Sequence, residues 1–162
     1  MLKRLLKFLV LILLFLVISI SLFIAAVNFG IFGHLYTKEE IKAFENETAS
    51  LVFSSDDELL GKFFTEDRTN IDFQQIPPYL IDALVATEDA RYYEHEGIDS
   101  RSLFRVLLKS ILLNNKSSGG GSTITQQLAK NMYGRKSYGF LSIPINKTKE
   151  AILAYRIENI FN

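Results

Sequence analysis

The sequence predicts a mainly α protein: an N-terminal transmembrane helix, then a helical domain carrying one small β-hairpin. Three observations point to it. Residues 8–27 form a run of 20 residues without a charge, nearly all Leu, Ile, Val, Phe or Ala. Four later segments repeat apolar residues at helical spacing and begin at capping or proline signals. Only residues 51–64 read as a pair of strands.

The apolar run comes first in the chain. At 1.5 Å per residue it crosses the roughly 30 Å hydrocarbon core of a bilayer. Lys3, Arg4 and Lys7 precede it, and no basic residue follows until Lys38. The positive-inside rule therefore keeps the N-terminus in the cytoplasm and sends the remainder across. A cleaved signal peptide competes with this reading, because Ala25-Ala26 would suit a cleavage site. Signal peptides, however, carry a shorter apolar region of about 7–15 residues, so an uncleaved anchor is preferred.

Residues 28–34 form a connector. A short helix is expected over 37–45, with Thr37 as N-cap and Glu40 three residues on. Residues 51–53 and 60–64 read as strands joined by the turn-forming Ser54-Ser55-Asp56-Asp57. Pro77-Pro78 opens a helix running to Glu88, with Leu80, Ala83, Leu84 and Thr87 as its apolar stripe. Gly97 ends the next stretch. A further helix begins near Asp99 or Ser100 and carries Leu103, Val106, Leu107, Ile111 and Leu112 in helical period. Residues 114–121 form a polar, glycine-rich loop. Thr123 with Gln126 makes a capping box for a helix over 123–133, closed by Gly134. Residues 135–145 are expected as loop, with Gly139 and Pro144 as breakers, and Asn146 as the cap of a last helix holding Glu150, Leu153, Ile157 and Phe161.

Composition narrows the chemistry. The chain has 162 residues, no cysteine and two histidines. A disulfide framework and a thiolate metal site are excluded, and a zinc site is disfavoured. Net charge is zero but unevenly spread: residues 39–99 hold 16 acidic against 4 basic residues, and residues 100–162 hold 10 basic against 2 acidic. Two solvated faces would account for this. A basic half facing a cleft would instead suit an anionic ligand such as a phosphate.

Three constellations carry candidate chemistry. In Glu88-Asp89-Ala90-Arg91-Tyr92-Tyr93-Glu94-His95, acidic, basic and aromatic side chains crowd the end of an apolar helix. A carboxylate partly desolvated there would suit general-base work; an ordinary polar helix end has the same composition. In the segment from Gly119 to Asn131, a glycine-rich turn feeds a helix N-terminus, where free N–H groups and the helix dipole favour an anion. It lacks the Gly-Lys-Ser/Thr ending of a phosphate-binding P-loop, and a flexible loop with a good N-cap would look alike. In Asn146-Lys147-Thr148-Lys149-Glu150, a carboxylate sits one turn after Asn146 beside two lysines, as in many surface helix starts.

Together the three resemble the glycosyltransferase domain of class A penicillin-binding proteins, glycosyltransferase family 51. The first motif matches at Glu88, Asp89, Tyr92 and His95. The second, Gly-Gly-Ser-Thr-Ile-Thr-Gln-Gln followed by Lys-Asn, is present in full from Gly120 to Asn131. The third, Arg-Lys and two positions before Glu, matches at Lys147 and Glu150, with Asn146 where the family has arginine. The resemblance covers about residue 54 to the end. It implies a domain division of 1–34 as cytoplasmic stub and anchor, 35–53 as stem, and 54–162 as a partial, lysozyme-like glycosyltransferase domain. Two later family motifs would lie beyond residue 162, so residues 1–162 alone are expected to polymerise little.

What the resemblance implies for function is polymerisation of lipid II into β-1,4 glycan strands with inversion, in cell wall synthesis at the bacterial inner membrane. It makes Glu88 the base and Glu150 a second catalytic glutamate. It gives Arg91, Ser122, Thr123, Gln126, Gln127, Lys130 and Arg135 to substrate binding, with Lys136 as the alternative to Arg135. Asp89 and His95 then hold the first motif in shape. Lipid II, the growing glycan strand, the membrane and other cell wall synthesis proteins are the expected partners, and no nucleic acid. The sequence demands no cofactor and leaves a divalent cation such as Mg open. A lysozyme-like enzyme that cleaves glycan, and a membrane-anchored module without catalysis, are the rival readings.

Overall fold

Leucine, isoleucine, valine and phenylalanine at nearly every position make residues 2–28 one long helix. In the computed structural model, which describes residues 1–45, 49–64, 70–112 and 120–161, α1 runs over Leu2–Asn28. Its 27 residues measure about 40 Å, longer than the ~30 Å hydrocarbon core it is apolar enough to cross. The surplus lies at its C-terminal end. The first 22 residues are exposed, and only the last turns, around Ala25, Ala26 and the fully buried Val27, are covered by protein.

Beyond α1, local signals set most boundaries. Thr37 caps α2 (Lys38–Lys42) through the expected box, with Thr37 N–H donating to Glu40 Oε2 at 2.8 Å. This helix stops three residues short of the expected Glu45. Strands β1 (Ser50–Phe53) and β2 (Leu59–Phe63) pair antiparallel, each starting one residue earlier than expected, with a bulge at Val52/Phe53. A 3-10 turn, Phe73–Gln75, precedes α3 (Pro78–Glu88), whose first residue is the tolerated proline. Its apolar stripe is uncovered: Leu80 and Leu84 are exposed.

After a second 3-10 turn at Tyr92–Glu94, α4 (Ser100–Leu112) starts on Asp99, which accepts from the N–H groups of Arg101 and Ser102 at 3.0 and 3.1 Å. The side chains of Leu107, Ile111 and Leu112, and the expected loop over 114–121 as far as residue 119, lie outside the described residues. Helix α5 (Ile124–Tyr133) has the Thr123–Gln126 capping box in full, and Gly134 closes it with φ +67°.

The last helix departs from expectation. α6 spans Ser142–Phe161, so its first turn includes Pro144, and Asn146 lies inside it rather than capping it. Proline is accepted because an N–H in the first turn has no intrahelical carbonyl to meet. Asn146, Glu150, Leu153 and Ile157 recur on one buried face. That face meets α5 and α2, forming a core of Leu35, Ile41, Ala129, Leu153 and Ile157, with Tyr36 and Tyr133 stacked 3.7 Å apart beside it. The described chain is thus mainly α with one small antiparallel hairpin and an N-terminal apolar helix, the class expected for a lysozyme-like transglycosylase.

Candidate active site

A cavity of about 550 Å³ opens where the end of α3, the start of α4, the turn before α5 and the buried face of α6 converge. Of the site residues named from sequence, all line it except His95, which stands behind Asp89, and Lys136, the alternative to Arg135, which borders a separate small cavity. The charge halves meet here: Glu88, Asp89, Asp99 and Glu150 face Arg91, Arg105, Lys130, Arg135 and Lys147.

Glu88 is the last residue of α3. Its side chain is exposed in the open cleft, and Gln127 Nε2 donates to its Oε2 at 2.8 Å. The desolvation expected from its crowded neighbourhood is therefore not found at Glu88. Burial falls on its neighbour Asp89 and on Glu150, 7% and 4% exposed. The reason is local: the chain breaks from helix at Asp89 and turns that residue inward while Glu88 stays on the rim.

Asp89 ties the first two segments together. Its carboxylate oxygens lie 3.1 Å from His95 Nε2, and Oδ2 accepts the Ile124 N–H of α5 at 3.2 Å. The Thr123 hydroxyl accepts from Gln126 N–H and donates to the Gly97 carbonyl at 2.7 Å. The start of α5 is thus already occupied by the protein's own carboxylate and hydroxyl. Of the first-turn amides that the sequence left open for an anion, those of Ile124 and Gln126 are taken, by Asp89 and Thr123.

The cations of the cleft differ in commitment. Arg91 donates to Asp99 and Ser102, and a buried Nε is left without a partner among the described residues. The carboxyl of Asp99 is held down to about 2: burial pushes it up, but the Ser102 hydrogen bonds and Arg91 outweigh it. Lys147 donates to Ser122 Oγ at 2.8 Å and pairs with Glu150 at 2.8 Å. Arg135 reaches Glu150 with Nε at 2.6 Å and its second nitrogen at 3.3 Å. Burial pushes the Glu150 carboxyl up, yet Arg135 and Lys147 together hold it below the ordinary glutamate value. Lys130 lines the cleft with no ion pair among the described residues.

Sequence reasoning did not single out Asp99, Ser102 or Arg105 for the site, and it named Lys147 as a motif match without giving it a role there. Lys147 had a usable signal, three residues before Glu150 on a helix; the other three are brought in by the angle of α4. Asp89, His95 and Asp99 bring ligand-type atoms within 4.8 Å of one another. Asp99 is already taken by a guanidinium and two N–H groups, which leaves that cluster poorly suited to a cation.

A family model described as transglycosylase matches residues 56–162. The chain belongs to the transglycosylase family. The transglycosylase chain is 38% identical over 130 residues to penicillin-binding protein 1F of Bacillus subtilis, covering 80% of this chain and 17% of that protein. It is 38% identical over 109 residues to penicillin-binding protein 1A of Escherichia coli, covering 67% and 12%. To penicillin-binding protein 1A of Aquifex aeolicus it is 33% identical over 147 residues, covering 90% and 20%. The transglycosylase chain thus spans a fifth or less of the length of these relatives.

Proposed function

We propose that this protein is a peptidoglycan glycosyltransferase that polymerises lipid II into β-1,4 glycan strands with inversion. Residues 1–34 serve as cytoplasmic stub and single-pass anchor in the bacterial inner membrane, residues 35–53 as stem, and residues 54–162 as glycosyltransferase domain outside the cytoplasm. The observation that carries the reading is one cleft that pairs an accessible carboxylate, Glu88, with five cations.

In the proposed reaction the 4-hydroxyl of an incoming lipid II attacks the anomeric carbon of the donor strand. Glu88 takes the hydroxyl proton as the new C–O bond forms. The bond to the lipid pyrophosphate breaks, and its electron pair leaves with the phosphate oxygen. Lys130, which has no ion pair among the described residues, meets that charge first, with Arg135 and Lys147 beside it. Gln127 aims Glu88 through its 2.8 Å hydrogen bond. Glu150, kept ionised by two cations, holds Arg135 and Lys147 in position and assists departure of the pyrophosphate. Arg91, anchored on Asp99, presents the remaining face of its guanidinium to substrate. Ser122, Thr123 and Gln126 line the donor side, and Asp89 with His95 keeps Glu88 at the rim. A growing strand and a bilayer-held donor are the natural partners, with other cell wall synthesis proteins around them.

The five cations weigh against glycan cleavage, whose leaving group is an uncharged sugar. Incubation of the intact protein with lipid II in detergent separates the readings. Lysozyme-sensitive polymer is the expected product. Breakdown of preformed glycan with no polymer from lipid II would overturn the proposal.

A further inference from the structure

Arg135 stands between two fixed points of the chain. Before it, Gly134 N–H donates to Lys130 O at 2.9 Å, with φ +67° at the glycine. After it, both backbone groups of Lys136 are taken by one side chain. Lys136 N–H donates to Asn146 Oδ1 at 3.2 Å, and Asn146 Nδ2 donates to Lys136 O at 2.8 Å. The second Nδ2 hydrogen goes to Ser142 O at 2.7 Å, one turn back on α6. Asn146 is 6% exposed and lies one turn before Glu150 on the same face. Asparagine is a poor helix former because its amide competes for backbone partners. Here that competition is put to use: acceptor and both donors are satisfied, and a reversed carboxamide would set its oxygen against two carbonyls.

We propose that Asn146 is a positioning residue: by clasping the Lys136 peptide it fixes the loop so that the Arg135 guanidinium lands on Glu150. The proposal rests on the reading of Glu150 as part of the transfer site for its catalytic consequence, but not for the clamp itself. A guanidinium held on a buried carboxylate in fork geometry needs a fixed backbone on both sides, since a side chain with four rotatable bonds otherwise leaves for water. Lys147 approaches Glu150 from the same helix and does not depend on the loop. Lys130 and Glu88 share the cleft with Glu150, and His34, Tyr133, Lys136 and Lys149 border the small cavity of about 50 Å³ behind it. None of these depends on the Asn146 carboxamide for its approach except Lys136 itself.

The test is a cycle of variants in the intact protein, read by carbon-13 titration of labelled glutamate carboxylates, with Glu150 assigned from Glu150→Gln. Arg135→Ala and Asn146→Ala are each expected to raise the Glu150 titration point. The double variant is expected to match Arg135→Ala alone, because Asn146 acts through the arginine. In lipid II polymerisation the two single changes should each lower kcat/KM by roughly tenfold or more, again without adding. An unchanged Glu150 titration in Asn146→Ala, or a double variant shifted beyond Arg135→Ala, would overturn the clamp. Amide exchange in the unmodified protein gives a check that needs no variant: Lys136 N–H should be protected, and free exchange there would also overturn it. A protein whose Glu150 follows this pattern but makes no polymer supports the clamp and counts against the proposed reaction instead.

Discussion

Two glutamates line the cleft, and their surroundings are opposite. Glu88 is exposed and touched by a neutral amide; Glu150 is buried under an arginine and a lysine. A base must lose its hydrogen-bonding solvent only when substrate arrives, so exposure in the open cleft suits Glu88. The sequence showed both carboxylates through their motifs. It did not show which would be buried, because that depends on the break from helix at Asp89 and on the packing of α6, which begins four residues before its expected cap. Asp99 yields the clearest acid response. Its folded value of about 2 lies below the ordinary aspartate value of 3.8. Its contribution to stability is therefore full above pH ~4 and lost as pH falls towards 2. Melting temperature measured against pH should drop over that window, and Asp99→Asn should flatten the drop while lowering stability at neutral pH. An unchanged profile would show that the Arg91–Asp99 pair does not contribute.

At the scale of elements, the capping boxes at Thr37 and Thr123, the proline start of α3 and the strand pair were legible because each rests on residues close in sequence. The start of α6 was not. Pro144 looked like a breaker, and only packing of Ile145 and Asn146 against the preceding loop shows it to be first-turn. Gly97 looked like a simple stop, but it is a close-contact position. A Cβ there would meet the backbone of Ala154 on α6 at 2.8 Å, and its φ is +78°. Gly97→Ala combines a strained backbone with a clash against a buried helix, and should cost about 1–3 kcal/mol or more. Thermal or urea unfolding measures it; a loss under a few tenths of a kcal/mol would mean that α6 moves aside freely.

For the whole molecule, the end of the N-terminal apolar helix is docked rather than loosely tethered. Lys149 Nζ and the Tyr138 hydroxyl both donate to the Phe32 carbonyl, at 2.8 and 2.7 Å, and Arg156 reaches Asn28 and the Tyr36 carbonyl. These contacts join residues more than 100 positions apart, which is why no local pattern announced them. They tie the end of α1 and residues 32–36 to α6 and the loop before it. Lys149→Met and Tyr138→Phe share one carbonyl partner, so their effects on the amide exchange of residues 29–36 should couple rather than add. Strict additivity would mean the two contacts act independently.

In the proposed reaction this cleft, with Glu88 at its rim, transfers glycosyl units from a lipid pyrophosphate. The most direct measurement is lipid II polymerisation by the intact protein and its Glu88→Gln variant, with circular dichroism confirming that the variant is folded. A loss in kcat of about 10²–10⁴-fold is expected, the range for removing a general base. A folded variant that polymerises at the unmodified rate would contradict it.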